Sequence, residues 1–486
     1  MSRKLRIWET ALRDAHQSLW ATRMTSDMME PIIPTMDAAG YGILGVAGSA
    51  VFESCIYYLA EDPWERLRMI QKSAPNTMKN VYIRSLNVLG WDLFADDVFP
   101  LTIDTLTRYG INCINTFDAL NDTANMAVSI KATKAAGLHA VGSIVFSESP
   151  VHTDEHFVEK AKELVALGVD AVQIKDSGAL LTPDRVRTLV PAIRTAIGED
   201  IDLHMHTHCT SGLGPLVALE SMPLGVDVIH TAISPIAHAT SNPPTELIVQ
   251  EALNQGVDID VDINKVNEIA EHFRQQAIKN EMPIGAPVAY DPGLFRHQVP
   301  GGMRSNLEKQ MQEIGLHDKL PAVLEEIVQM REELGWPIMV SPMSQFIGVQ
   351  ALLNVVETER YTTIQTEIKN YVLGWYGQLA APVDPNIMDK IADGEEPITD
   401  RPGALLEPMV ESFRAQHGPF ESDEELILAM HFKPKLLDEW REARKVRAGR
   451  PTAKTPVATL IKELAHRPDV SYVFVEKGST RVSHVA

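Results

Sequence analysis

Eight short runs rich in β-branched and other apolar residues punctuate the first half of the chain, at 4–8, 42–46, 80–84, 112–116, 139–145, 170–174, 201–206 and 226–230. Longer stretches separate them, and in these, as over 154–167, apolar residues recur at helical spacing. Strands alternating with helices build parallel βαβ units. Eight such units in roughly 250 residues close into a (β/α)8 TIM barrel more readily than they spread into an open sheet. The punctuation agrees: Gly110, Gly137, Gly168 and Gly225 each precede an apolar residue, as a helix-to-strand turn requires. Thr182 followed by Pro183 reads as an N-cap and first helical position.

Beyond residue 260 the strand signal fades. Helices are predicted over 262–281, 304–315, 319–334, 343–357 and 361–373. The segment 383–403, rich in Pro, Asp and Gly, reads as a linker or an irregular excursion. A charged helix is expected over 423–446, then a polar tail over 450–486 with one strand-like run at 470–475. The expected architecture is α/β: a TIM-barrel catalytic domain over 1–260, then a mainly helical C-terminal domain over 261–486 that completes the active site.

Composition narrows the function. At 486 residues the chain exceeds the size at which one core stops growing. A net charge of −21 argues against a nucleic-acid partner, which would want a basic face. Cys55, Cys113 and Cys209 are too scattered for a disulfide framework and fit a reducing compartment. The N-terminus lacks a signal-peptide core, and no stretch approaches the ~20 apolar residues that cross a bilayer. A cytoplasmic location without membrane insertion is expected.

In a TIM barrel, the C-terminal strand ends bring distant segments into one pocket. Asp14, Lys175, His206 and His208 all fall near such ends. Alone, Asp14 reads more readily as a helix cap or as a partner of Arg13 than as a metal ligand. His206 and His208 alternate along an extended segment, so they point the same way, and two neutral imidazoles suit Zn, Co or Mn. His204 shares that face and leaves the pair ambiguous by one position. Lys175 reads as an ion-pair partner of Asp176, as a phosphate ligand, or as a carbamate formed by CO2 on the neutral amine; spacing does not separate these. Arg84, ending the third strand, has the fork that clamps a carboxylate, and Gln17 stands close enough in sequence to Asp14 to hydrogen-bond the same acid.

The stretch from Thr10 to Arg23, with Arg13-Asp14-Ala15-His16-Gln17 at its centre, resembles the opening of the biotin-dependent carboxyltransferases. That family includes the carboxyltransferase domain of pyruvate carboxylase, the oxaloacetate decarboxylase alpha chain and the transcarboxylase 5S-type subunit. The likeness recurs in order at 61–66, 117–121, 149–153, 174–176, 206–212, 227–234, 299–303 and 372–377. It implies a divalent metal held by Asp14, carbamylated Lys175, His206 and His208. It implies a 2-oxo acid such as pyruvate or oxaloacetate bound by Arg84 and Gln17, with Arg13 facing the biotin pocket. Ser341 falls where the family usually has Thr, whose hydroxyl shuttles a proton between biotin and the enol; Ser344 falls on a second hydroxyl position. Lys175 and Ser341 are thus the catalytic candidates. No Ala-Met-Lys-Met biotinylation motif occurs and no ATP-grasp segment precedes the barrel. The resemblance therefore implies carboxybiotin on a separate carrier protein, with a biotin carboxylase or decarboxylase subunit as further partner, and a homodimer.

The departures cluster. Gly45 and Ala47 stand where the family has Glu and Trp, Glu53 where it has Asp, and Trp91 where it has Tyr. Ser85 replaces Gly, Asn115 replaces Arg and His230 replaces Asp. An altered substrate, altered biotin handling or lower activity each fits. Two other readings stand beside carboxyl transfer. One is a metal-dependent aldolase or lyase of the same barrel superfamily acting without biotin. The other is a catalytically weakened structural subunit, against which the intact metal set argues.

Overall fold

A computed structural model of the chain describes residues 4–448, 472–477 and 480–485. All eight predicted strands form: β1 Arg6–Glu9, β2 Ile43–Ala47, β3 Met78–Arg84, β4 Cys113–Phe117, β5 His139–Val145, β6 Ala171–Asp176, β7 Asp202–Thr207 and β8 Val228–Thr231. They are parallel and close into a barrel in sequence order. In the closing pair Trp8 lies opposite His230 and Glu9 opposite Thr231. Gly110 and Gly168 take φ of 77° and 86°, the left-handed turn that a side chain would strain. The Thr182 hydroxyl accepts the Arg185 N–H at 3.2 Å, capping the helix Pro183–Ile197.

The barrel interior is unusually polar. Trp8, Asn115, Gln173, His204 and His230 are all fully buried. Asn115 donates to Gln173 and accepts from the Ser143 hydroxyl at 2.6 Å. Trp8 stacks on His230 with ring centroids 4.2 Å apart, and a Cβ on Gly45 would come within 2.9 Å of Trp8 Nε1. Two of the departures, Gly45 and His230, therefore meet on one indole. Another, Asn115, satisfies its amide with neutral partners, and the layer holds together without buried charge.

The Glu61–Arg66 block explains itself structurally. Asp62 accepts the N–H groups of Trp64 and Glu65, capping the helix Pro63–Ser73. Glu61 pairs with Arg66, itself 2% exposed, and accepts from Ser26 at 2.7 Å. Burial alone would raise the Glu61 pKa, but the Arg66 charge and the hydrogen bonds outweigh it and hold it low. Glu61→Ala, which strands a buried guanidinium, is expected to cost about 3–5 kcal/mol in urea unfolding. Because the folded pKa is depressed, this contribution is present above the unfolded carboxylate's pKa and fades as pH falls.

After the barrel come the helices Ile263–Lys279, Gly301–Glu313, Leu320–Glu333, Met343–Val356 and Thr366–Val372. The last four share a core of Met311, Val323, Ile327, Met330, Ile347 and Tyr371, with Leu120 of the barrel loops in the same cluster. The barrel and these helices belong to one compact unit, 1–431; residues 432–486 form a second. Within the second, Tyr472–Lys477 pairs antiparallel with Thr480–Val485; of the predicted run 470–475, residues 470–471 lie outside the described residues.

Three local expectations are corrected. The helix predicted over 361–373 begins only at Thr366, after Tyr361 has taken φ of 57°. The supposed linker 383–403 contains the helix Pro385–Ala392, capped by Asp384, whose side chain accepts from Asn386 and Ile387. The single helix over 423–446 is two, Asp423–His431 and Pro434–Ala448; Pro434 has no N–H and opens the second. Among the described residues no helix is long and apolar enough to cross a membrane.

Candidate active site

Asp14 does not follow β1 directly. Strand β1 stops at Glu9, and Asp14 sits on a π-helical turn, Ala11–Ala15, with Arg13 beside it and both buried. Glu9 anchors this turn: its carboxyl accepts the N–H of Ala11 at 3.0 Å, that of Ile233 at 3.1 Å and the Thr245 hydroxyl at 2.5 Å. Burial pushes the Glu9 pKa up to about 8, so near neutral pH it is held largely as the acid.

Three ligand atoms converge at the strand ends. Asp14 Oδ2 lies 3.2 Å from His206 Nε2 and 3.4 Å from His208 Nε2, and the two Nε2 atoms are 3.1 Å apart. The other ring nitrogens are turned away, His206 Nδ1 to His230 Nδ1 at 3.2 Å and His208 Nδ1 to the Thr240 carbonyl at 2.6 Å. Burial, with help from Lys175, brings the His206 pKa down to about 3, so its imidazole is neutral. Burial would raise Asp14, but Arg13 and the two histidines hold its carboxylate well below the ordinary range. Asp14 Oδ2 is buried without a hydrogen-bond partner. An orphaned carboxylate oxygen facing two converging imidazole nitrogens fits a divalent ion better than it fits a hydrogen-bond network.

His204, which sequence left in contention, is not part of this group: its Nδ1 faces His230 Nε2 at 3.4 Å, one step down β7. Thr207, between the two histidines, points outward and donates to Asp176 at 2.8 Å. Asp176 also accepts from the backbone of Leu180 and Leu181, and it forms no ion pair with Lys175 among the described residues. Instead the Lys175 ammonium lies over the rings of Tyr82 at 4.9 Å and Phe117 at 5.8 Å. Burial lowers its pKa to about 8.

Above the cluster opens a cavity of about 580 Å³ whose lining includes Arg13, Asp14, Gln17, Arg84, Lys175, His208 and Ser341. Arg13 donates to Asp14 Oδ1 at 2.8 Å and packs over the Tyr82 ring at 4.3 Å. Gln17 Oε1 is buried with no hydrogen-bond partner. Arg84 gives one N–H to the Gly90 carbonyl at 2.7 Å and lies 3.6 Å over Trp91, which is 44% exposed. Burial brings Arg84 down to about 10, still charged at neutral pH. Ser85 turns away to Asp118. Ser344 is not on the cavity wall; its hydroxyl is buried without a partner. Glu53 also keeps a partnerless buried oxygen and has a pKa raised by burial, against the pull of Arg84.

Two residues of the site went unrecognised as such from sequence. Tyr82, two positions before Arg84 on β3, forms an aromatic floor under Arg13 and Lys175; strand alternation alone points to it. His230 backs the His206 ring, a role that appears only once β7 and β8 pair.

A family model described as a conserved carboxylase domain matches residues 294–483, and one described as HMGL-like matches 108–272. The chain is 41% identical over 437 residues to a pyruvate carboxylase subunit of Methanocaldococcus jannaschii, covering 89% of this chain and 76% of that one. It is 37% identical over 409 residues to the methylmalonyl-CoA carboxyltransferase 5S subunit of Propionibacterium freudenreichii subsp. shermanii, covering 84% and 80%. Among solved structures, the carboxyl transferase domain of Rhizobium etli pyruvate carboxylase with pyruvate superposes with a TM-score of 0.86 at 25% identity, covering 99% of this chain and 83% of that one.

Proposed function

The chain belongs to the biotin-dependent carboxyltransferases, and from that membership we propose that it moves a carboxyl group between carboxybiotin on a separate carrier protein and a small 2-oxo acid such as pyruvate or oxaloacetate. The observation that carries this reading is the convergence of Asp14, His206 and His208 at the foot of a cavity whose walls hold Arg84, Gln17, Lys175 and Ser341.

Asp14, His206, His208 and Lys175 would hold the metal, Zn, Co or Mn by donor type. Lys175 reaches this role as a carbamate, and an amine with a pKa of about 8 is neutral often enough to take CO2. The bound ion supplies Lewis-acid polarisation of the 2-oxo carbonyl, which makes the adjacent methyl group easier to deprotonate. Arg84 holds the substrate carboxylate with the donors left free of Gly90, and Gln17 lines the same cavity. Trp91 stacks on Arg84 and fixes its plane. Arg13, ordered by Asp14 and Tyr82, faces the incoming biotin. Ser341 passes a proton between the substrate methyl carbon and the ureido nitrogen. Ser344, off the cavity wall and with its hydroxyl unpaired among the described residues, has no part in this reading.

A carrier protein and a biotin carboxylase or decarboxylase subunit complete the reading, as do a cytoplasmic location, consistent with three free buried cysteines, and a homodimer. The barrel and the region from 261 onward divide as catalytic scaffold and completing domain.

The test is oxaloacetate decarboxylation by metal-loaded protein with and without free biotin. Pyruvate release is expected to rise with biotin, and Arg84→Lys, which loses the planar fork, to raise KM by about 10- to 100-fold while biotin stimulation persists. Release indifferent to biotin would point to the lyase reading. Silence with biotin and metal present would sink pyruvate and oxaloacetate as substrates.

A further inference from the structure

A second convergence of ligand atoms lies at the opposite end of the barrel. One ligand atom each from His139, Asp202 and His204 lie within 4.8 Å of one another. His139 opens β5 and Asp202 opens β7, so the group straddles three adjacent strands at their N-terminal ends. His204 is fully buried, and its Nδ1 is turned to His230. The remaining nitrogen, Nε2, is buried with no hydrogen-bond partner. Asp202 Oδ2 pairs with Arg6 at 2.6 Å, which leaves its second oxygen available; Arg6 is 38% exposed and has room to swing aside. Asp170 Oδ2 lies 3.9 Å from His139 Nδ1, beyond hydrogen-bond reach, and accepts the Ala140 N–H at 2.8 Å. His139 and Asp202 keep 21% and 28% exposure, so an ion has an entry path.

We propose that His139, Asp202 and His204 form a second metal site at the N-terminal mouth of the barrel, for a borderline divalent ion such as Zn2+ or Co2+. Two imidazoles and one carboxylate are a donor set that such ions take with the remaining positions filled by water. The ion would pin the starts of β5 and β7 across β6.

The site does not stand alone electronically. His206, His230 and His204 form a column of rings, Nδ1 to Nδ1 and Nε2 to Nδ1. A neutral imidazole carries one N–H. An ion on His206 Nε2 puts its proton on Nδ1; His230 accepts it there, donates from Nε2 to His204 Nδ1, and so leaves the His204 proton on Nε2. An ion on His204 Nε2 imposes the opposite direction. With both ends occupied, one inter-ring hydrogen bond is lost, so the second ion binds about fivefold more weakly than it would alone, the factor one hydrogen bond commands.

The measurement is Co2+ binding by the chelator-stripped full chain, followed by visible absorption and by thermal unfolding. Two ions per chain are expected. His139→Ala and the isosteric Asp202→Asn should each bind one, at the upper site, and about fivefold tighter than that same site binds in the wild type once the lower site is filled. His208→Ala should keep the ion at the N-terminal mouth and its Co2+-dependent rise in melting temperature. Should the wild type bind a single ion that both His139→Ala and Asp202→Asn retain, the proposal fails while the upper site stands. A single ion lost in those variants but kept in His208→Ala supports the lower site and removes the upper one.

Discussion

Lys175→Met should leave the protein more stable and almost inactive. In metal-free, CO2-free buffer at pH 7 the wild-type lysine folds into a site where burial lowers its pKa from 10.5 to about 8. The folded state then holds its proton less tightly than the unfolded state, so folding bears a cost that is full below about pH 8 and is relieved as pH rises to 10.5. Converting that shift gives a gain of about 3 kcal/mol for the variant at pH 7. Denaturant unfolding across this range should show wild-type stability climbing with pH relative to the variant. Carboxyl transfer should fall by at least ~10³-fold, the worth of several kcal/mol of metal-centred stabilisation. CO2 should activate the decarbamylated wild type more readily as pH rises through 8, because the neutral amine is the form that reacts. A variant that is no more stable would mean Lys175 is already paired in solution; one that stays active would remove the carbamate from the mechanism.

His208→Ala should release one ion per chain and abolish turnover. Its Nε2 is one of three atoms that share the cluster, and its Nδ1 is already fixed by the Thr240 carbonyl, so no neighbour can replace it. Loss of a supporting partner typically costs 10- to 100-fold in metal affinity; removal of a ligand should exceed about 10²-fold in competition with a chromophoric chelator. Thr207→Val supplies the control. That hydroxyl faces Asp176 on the other side of the strand, so the metal should bind within about threefold of wild type. Equal losses in both variants would show that strand β7 had moved rather than that a ligand had gone.

Much of this was legible because it obeys local rules. The alternation of β-branched runs with helical spacing announced all eight strands, and the period of two along an extended chain placed His206 and His208 together. Asp14 was found for a reason that proved incomplete: its position depends on a π-turn, which has no sequence signature of its own. Lys175 stayed open because one side chain supports three chemistries, and only its surroundings, aromatic rings with no carboxylate within ion-pair reach among the described residues, narrow them. The meeting of Gly45 and His230 on Trp8 was invisible, since 185 residues separate the two and only barrel closure joins them. The helix Pro385–Ala392 was missed although Asp384-Pro385 is a recognisable start; the Gly and Pro density beyond it masked the signal.

The π-turn at Ala11–Ala15 has a consequence for how this segment tolerates change. A π-turn is an α-turn with one residue added, and each residue advances a helix by about 100°. Deleting Ala11 or Leu12 would let the segment relax to α-geometry and swing Arg13 and Asp14 about a quarter-turn off their targets. Substitutions at Ala11 or Leu12 that keep their size leave the count intact. Length, more than composition, is what this loop must conserve, and insertions or deletions here should be far rarer among functional variants than point changes.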